Sequence, residues 1–396
     1  MPTLDPMERR TATSRIATGL STAPAAEDAA VEAVRQVRTA LDGSSPELVF
    51  LFLSAAHLAE VEIAAAVVRE ELGAGALLGC VAEGVVGGTR ELEGGPGLAL
   101  WAGALPGARV ETFHLEAVPA EEGLAVSGFP EFDEQPTLVT LLVDPFTFPA
   151  GSFLRLLNEE HAGLPVVGGI AAGAGSPGAQ VLIVDDEHHA DGVVGAAVSG
   201  IPVRTIVSQG CAPIGRDAVV THAEGNVVFE LAGQPALERL KADLASLPPE
   251  RLQQAANGLL VGLVIDENRS DYGRGDYLVR ALLGADEDSG AIAVGDEVRV
   301  GQTLRFHVRD AASADEDLRI SLAEGLAGET ATGALLFTCN GRGSHMFDEP
   351  NHDARIVAHA VGSPSLAGFF CGGEIGPVGG RAFLHGFTAT TAVFLA

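Results

Sequence analysis

This sequence predicts an α/β fold of mixed sheets: two related domains built from repeated strand–helix–strand–hairpin units with glycine-rich loops. Three observations carry that expectation. Three segments of the 396-residue chain share one layout, and in each an apolar pair precedes Gly-x4-Gly, at Gly79 and Gly84, Gly168 and Gly173, and Gly368 and Gly373. Each first glycine lies about 30 residues beyond the start of an apolar run, the length of a βαβ unit.

The elements follow in order. The first unit runs from the β-branched and aromatic "ELVFLFLSA" through "HLAEVEIAAAVVREELG", apolar at i, i+3 and i+4, to "LLGCVAEGVVGG". The second runs from "TLVTLLVDPF" through "GSFLRLLNEEHAG" to "VVGGIAAGAGSPG", and the third from "GALLFTCNGRG" through "EPNHDARIVAHAVG" to "LAGFFCGGEIGPVGG". A further strand-like run follows each, "GLALWAGAL", "GVVGAAVSG" and "TATTAVFLA", so each unit is expected to continue into a hairpin.

A different region separates the second and third units. "SQGCAPIGRDAVVTHAEGNVVFELAGQPALERLKADL" reads as strand, turn, strand and a helix opened by Pro235, and the stretch to "TLRFHVRD" alternates strand runs with Asp/Gly turns. "SADEDLRISLAEGL" reads as a helix with Ser313 as N-cap and Glu316 completing a capping box. The boundary is placed near Val219 to Asn226, which gives a disordered segment over 1–13 and domains over 14–222 and 223–396.

Composition narrows the function. With 24 Lys+Arg against 53 Asp+Glu, the net charge of −29 argues against nucleic acid or an anionic membrane as partner. Lys241 is the one lysine, so the cationic side chains are guanidinium groups suited to bidentate contact with carboxylate or phosphate. Cys80, Cys211, Cys339 and Cys371 are scattered and form no CxxC pair, which excludes a zinc knuckle or dithiol motif and fits a reduced compartment. The N-terminus lacks a secretory apolar core, and no uncharged stretch is free enough of Gly and Pro to span a bilayer. The expected location is the cytoplasm, with no membrane insertion.

"GCVAEGVVGG" and the linker "SQGCAPIGRDAVVTHAEGNVVFELAGQPALERL" resemble FIST-N, and "RGDYLVRALLGADEDSGAIAVGDEVRVGQTLRFHVRD", "LLFTCNGRGSHMF" and "GFFCGGEIGPVGGRAFLHGFTAT" resemble FIST-C, the tandem modules of the FIST family. The resemblance covers nearly all the chain after about Ser14. It implies a sensory or adaptor module for small ligands such as amino acids, with haem and nitric oxide sensing in some bacterial members. There is no F-box and no room for an output domain, so the signal is expected to pass to a separate protein such as a kinase.

Within "FTCNGRGSHMF", Gly341 and Gly343 let backbone N–H groups converge on an anion, and Arg342 offers a planar fork for a carboxylate. The plain alternative is a turn in which both glycines take positive φ and Arg342 makes a surface ion pair. Cys339 and Asn340 open this loop, and Cys371, Gly373 and Glu374 of "FFCGGEIGPVGG" are expected at the neighbouring strand end, so that Arg342 and Glu374 read the two charged ends of an amino-acid-like ligand. His385 and Arg280 complete the ligand-binding set, each with a structural role as its alternative. No catalytic set and no metal set is assigned. Ser54 and His57 in "FLSAAHL" read as an echo of the third loop, and His188 and His189 as an exposed turn whose adjacent side chains diverge. A Cys339- or Glu374-dependent hydrolase or acyl transferase, and a haem sensor, are the alternative functions.

Overall fold

The computed structural model describes residues 13–120, 123–269, 271–273 and 275–396. The expected disorder over 1–13 falls almost wholly outside these residues. In the first unit, strand Leu48–Ser54, helix Val61–Leu72, strand Ala76–Ala82, hairpin Val85–Gly87 with Arg90–Leu92, and return strand Leu98–Ala104 follow one another. The second unit has Leu138–Val143, Ala150–Glu160, Val166–Ile170, Leu182–Val184 with Glu187–His189, and Val193–Ser199. The third has Ala331–Cys339, His352–Val361, Leu366–Cys371, Glu374–Val378 with Arg381–His385, and Thr388–Leu395. The repeat expected from the glycines is therefore present.

The two long strands of each unit pair in parallel, and the return strand lies antiparallel to the first. These strands read as continuous apolar runs because they are buried on both faces. The first glycine of each Gly-x4-Gly sits at one register position: Gly79 opposite Leu51, Gly168 opposite Leu141, Gly368 opposite Leu336. A Cβ at any of the three would collide with the carbonyl oxygen of that same partner. The repeat is written in glycine because the backbones approach too closely for any other residue.

The hairpins are exchanged in a ring. That of the first unit pairs with the third sheet (Val86 opposite Gly368), that of the second with the first sheet (Ile183 opposite Gly79), and that of the third with the second (Ile375 opposite Gly168). The inner faces meet in one core, where the tilted ring pairs Phe52–Phe369 and Trp101–Phe394 have centroids 5.2 Å and 4.8 Å apart. Burying each such side chain contributes roughly 1.5–3 kcal/mol.

An edge strand extends each sheet beyond its return strand: Arg15–Ser21, Arg109–Ala120 and Val203–Gln209. In the first unit that strand leads directly into helix Ala26–Leu41. In the third, residues 211–309 intervene before the corresponding helix Ala311–Leu326. The insertion is a closed antiparallel barrel in which Cys211–Glu224, Thr303–Arg309, Leu259–Val264, Tyr277–Asp286, Ala291–Val294 and Val227–Leu231 pair in turn and the last returns to the first. The third unit thus begins at Val203, ahead of the composition change near Val219.

One helix start differs from expectation. Asp310, not Ser313, is the N-cap of Ala311–Leu326: its Oδ2 accepts from Ser313 N at 3.1 Å and from Ser313 Oγ. A carboxylate in extended backbone just before the helix satisfies the free N–H groups and the helix dipole together.

Candidate functional site

Cys339 is the last residue of its strand, in register with Cys371 as Ser54 is with Ala82. Asp144 follows directly on the Val143–Ile170 pair, so Ser54, Asp144 and Cys339 hold one position in the three units. In the first two the polar atoms close on their own loops. Ser54 Oγ donates to the Gly95 carbonyl and accepts from Gly97 N, both at 2.9 Å, and Asp144 Oδ2 accepts from Thr147 N at 2.8 Å and Thr147 Oγ1 at 2.6 Å. In the third unit, Cys339 Sγ accepts from Gly341 N at 3.4 Å and lies beside the Glu374 carboxyl.

Glu374 is fully buried. Its Oε2 accepts from Thr388 N at 3.1 Å and Thr388 Oγ1 at 2.9 Å and the Cys339 thiol lies against the carboxyl, while among the described residues Oε1 meets no N–H or O–H donor. Burial pushes this carboxyl up to about 8 against the lowering effect of the Thr388 bonds, so it is mostly neutral at pH 7. Burial, and then the neighbouring Glu374, pushes the Cys339 thiol up to about 12. Asn340 Oδ1 is also buried without a partner.

Arg342 does not face an open crevice. It is fully buried, and its fork is filled by Asp353, with Nε to Oδ2 at 2.7 Å and Nη2 to Oδ1 at 2.8 Å; Nη1 donates to the Phe387 carbonyl at 3.4 Å. Burial alone would raise the Asp353 carboxyl, but the Arg342 charge and hydrogen bonds from Arg342, His352 and Thr338 hold it well below the usual carboxylate range. The anion seat of the loop is filled as well: Glu93, from the first unit, accepts from Ser344 N at 2.9 Å and Ser344 Oγ at 2.6 Å. Gly343 has φ of 55°, and a Cβ there would strike that carboxylate.

The structure therefore gathers Cys339, Asn340, Gly341, Arg342 and Glu374 around one strand end. Cys371 is buried against Gly169, where a Cβ would meet its Sγ, and Gly373 packs on Leu384. His385 donates from Nε2 to the Gly376 carbonyl at 3.0 Å, leaving Nδ1 without a partner, and burial lowers it to about 4, so it is neutral. Arg280 belongs to the barrel, where Nε binds Asp296 Oδ2 at 2.7 Å, and it lines a separate groove.

Two residues at this strand end carried no sequence signal. Arg309 closes a barrel strand, and its Cζ lies 3.8 Å from the centroid of the Phe387 ring. Among the described residues it forms no ion pair, and its Nε is buried without a partner. Phe387 has φ of 64°, a strained conformation for a bulky residue, and its ring fits against Gly341, where a Cβ would come within 2.8 Å.

His114, His189 and Asp191 form the one group among the described residues whose donor atoms cluster closely enough for a metal. The two imidazoles stack with centroids 3.6 Å apart and planes at 15°. Ring nitrogens bind a metal in the ring plane, and two parallel, separate planes cannot share one ion without rotation of a ring. His188 stays exposed on its hairpin strand.

The FIST N domain matches residues 47–234 and the FIST C domain residues 236–377. The chain belongs to the FIST family. FIST domains are sensory and signal-transduction domains. The chain is 42% identical over 384 residues to the uncharacterized protein Rv0628c of Mycobacterium tuberculosis, covering 96% of this chain and 100% of that one. It is likewise 42% identical over 385 residues to the uncharacterized protein Mb0898c of Mycobacterium bovis, covering 96% of this chain and 99% of the other. The strand-end cluster lies within the FIST C match, except for Phe387 and Thr388. Among the described residues, no helix is long and apolar enough to cross a membrane.

Proposed function

We propose that this FIST protein is a small-ligand sensor whose ligand, an amino acid or small carboxylate, binds at the Cys339 strand end and is reported to a separate signalling protein. The observation that carries the reading is Arg309: a guanidinium without a carboxylate partner among the described residues of this acidic chain, placed over a strained Phe387 beside Glu374 and Asn340, each with a buried oxygen that meets no N–H or O–H donor. The ligand carboxylate is assigned to Arg309, since Asp353 and Glu93 already occupy Arg342 and the loop N–H groups. Asn340 Oδ1 and Glu374 Oε1 then accept from the ligand's ammonium group. Buried polar atoms left without partners are costly, and a ligand that supplies the missing donors is repaid that cost on binding.

The geometry favours non-covalent recognition over hydrolysis. A thiol near 12 is protonated at neutral pH, and no imidazole is hydrogen-bonded to it as a base. A thermal-shift screen of amino acids and organic acids tests the reading: stabilisation of the wild type that disappears in Arg309→Gln supports it, and stabilisation indifferent to Arg309 contradicts it. The visible spectrum of freshly purified protein tests the haem alternative, whose mark is a Soret band.

A further inference from the structure

A groove of about 560 Å³ lies where three distant parts of the chain meet: helix Ala150–Glu160 of the second unit, strand Arg381–His385 of the third, and the barrel strands Leu259–Val264 and Tyr277–Asp286. Its apolar surface comes from residues such as Leu263, Leu278 and Leu384. Four arginines line it. Arg280 is spent on Asp296, but Arg155, Arg299 and Arg381 form no ion pair among the described residues; Arg155 donates to Ser152 Oγ and Arg381 sits over the Phe383 ring at 5.7 Å. Of the lining acids, Asp296 holds Arg280, and Glu267 accepts from Thr303 N at 2.6 Å and Thr303 Oγ1 at 2.7 Å. Three guanidinium groups without an ion-pair partner among the described residues thus border the groove together with the carboxylates of Glu267 and Glu297.

We propose that this groove is a second binding site, for a dianionic small molecule with an apolar body, of the phosphomonoester class. Three guanidinium groups on the rim of one partly apolar groove suit a phosphate head, which accepts from several N–H groups at once. The volume is that of an ordinary small-ligand pocket. A peptide added along the edge strand is disfavoured, because the Asn158 side chain already takes both backbone groups of Ala382, donating to its carbonyl at 2.8 Å and accepting from its N–H at 2.8 Å. That same clamp ties the helix to the strand at the groove wall.

The site is independent of the strand-end reading. The test uses phenyl phosphate as probe, with inorganic phosphate and phenol as its two halves, titrated into the full chain and followed by NMR or calorimetry. Saturable binding of phenyl phosphate is expected, tighter than either half, weakened at least tenfold in Arg299→Gln and in Arg381→Gln, and unchanged in Arg309→Gln. Both arginines are exposed, so the variants are expected to keep the wild-type melting temperature. Absence of saturable binding, or binding undiminished when Arg299→Gln and Arg381→Gln are combined, overturns the proposal.

Discussion

Arg342 and Arg309 meet the same phenylalanine and are used in opposite ways. Arg342 is locked by Asp353 in the interior, and breaking a buried pair by removing one partner typically costs about 3–5 kcal/mol. Arg342→Met is therefore expected to lower stability by that order in denaturant unfolding, whereas Arg309→Gln is expected to cost under about 1 kcal/mol, because no ion pair is lost. Glu374 makes a separate prediction. Its folded pKa, about 8, lies above the ordinary 4.5, so folding favours the neutral form. That contribution is fully present below the ordinary value and is lost as pH rises through about 8. Melting curves should show the wild type losing stability relative to Glu374→Gln across that interval; parallel pH profiles would show that the carboxyl is not held neutral. Binding has the reverse slope, since an ammonium ligand needs the carboxylate and should bind more tightly as pH climbs towards 8. At this scale the sequence singled out a loop and was silent about which side chains meet it. Arg342 meets Asp353, eleven residues on, and Ser344 meets Glu93 from another unit, 251 residues away; Arg309 has no motif around it.

At the scale of elements, the glycine repeat was legible because its cause is local and severe. Gly79, Gly168 and Gly368 each lie between a parallel strand and an incoming hairpin, with a neighbouring carbonyl where a Cβ would be. Alanine at any of the three should destabilise by a similar amount, on the order of 2 kcal/mol or more, since backbone on both sides must shift. Alanine at Gly94, where a Cβ meets nothing within 4 Å and φ is not positive, should be nearly neutral. If Gly368→Ala melted like the wild type, the close approach would not be real. The destination of the hairpins was not legible, because strands of three residues such as Val85–Gly87 and Leu182–Val184 carry too little pattern to name a partner sheet. The helix cap at Asp310 was missed for a related reason: Ser313 also fits the capping preference, and the choice depends on where the barrel strand ends.

For the whole molecule, the hairpin ring and the inserted barrel mean that the sequence halves are not separate bodies. The third sheet takes Val85–Leu92 from the first unit and Val203–Gln209 from ahead of the barrel, and gives Glu374–His385 to the second sheet. Residues 236–396 expressed alone should therefore fail to give a dispersed NMR spectrum, while co-expression with 1–235 should restore it, and the intact chain should unfold in one transition. The mixed α/β architecture in two domains is as the repeat led one to expect, and all three units contribute side chains to one core. What this architecture positions is a strand end at which the barrel's Arg309 meets the third unit's Phe387 and Glu374. Calorimetric titration of a panel of small amino acids and carboxylates into the wild type and Arg309→Gln tests that placement most directly. The expected result is saturable binding of at least one compound to the wild type, weakened at least tenfold by Arg309→Gln while the melting temperature stays near wild type. Binding of equal strength to both proteins, or no binding by any member of the panel, would contradict it.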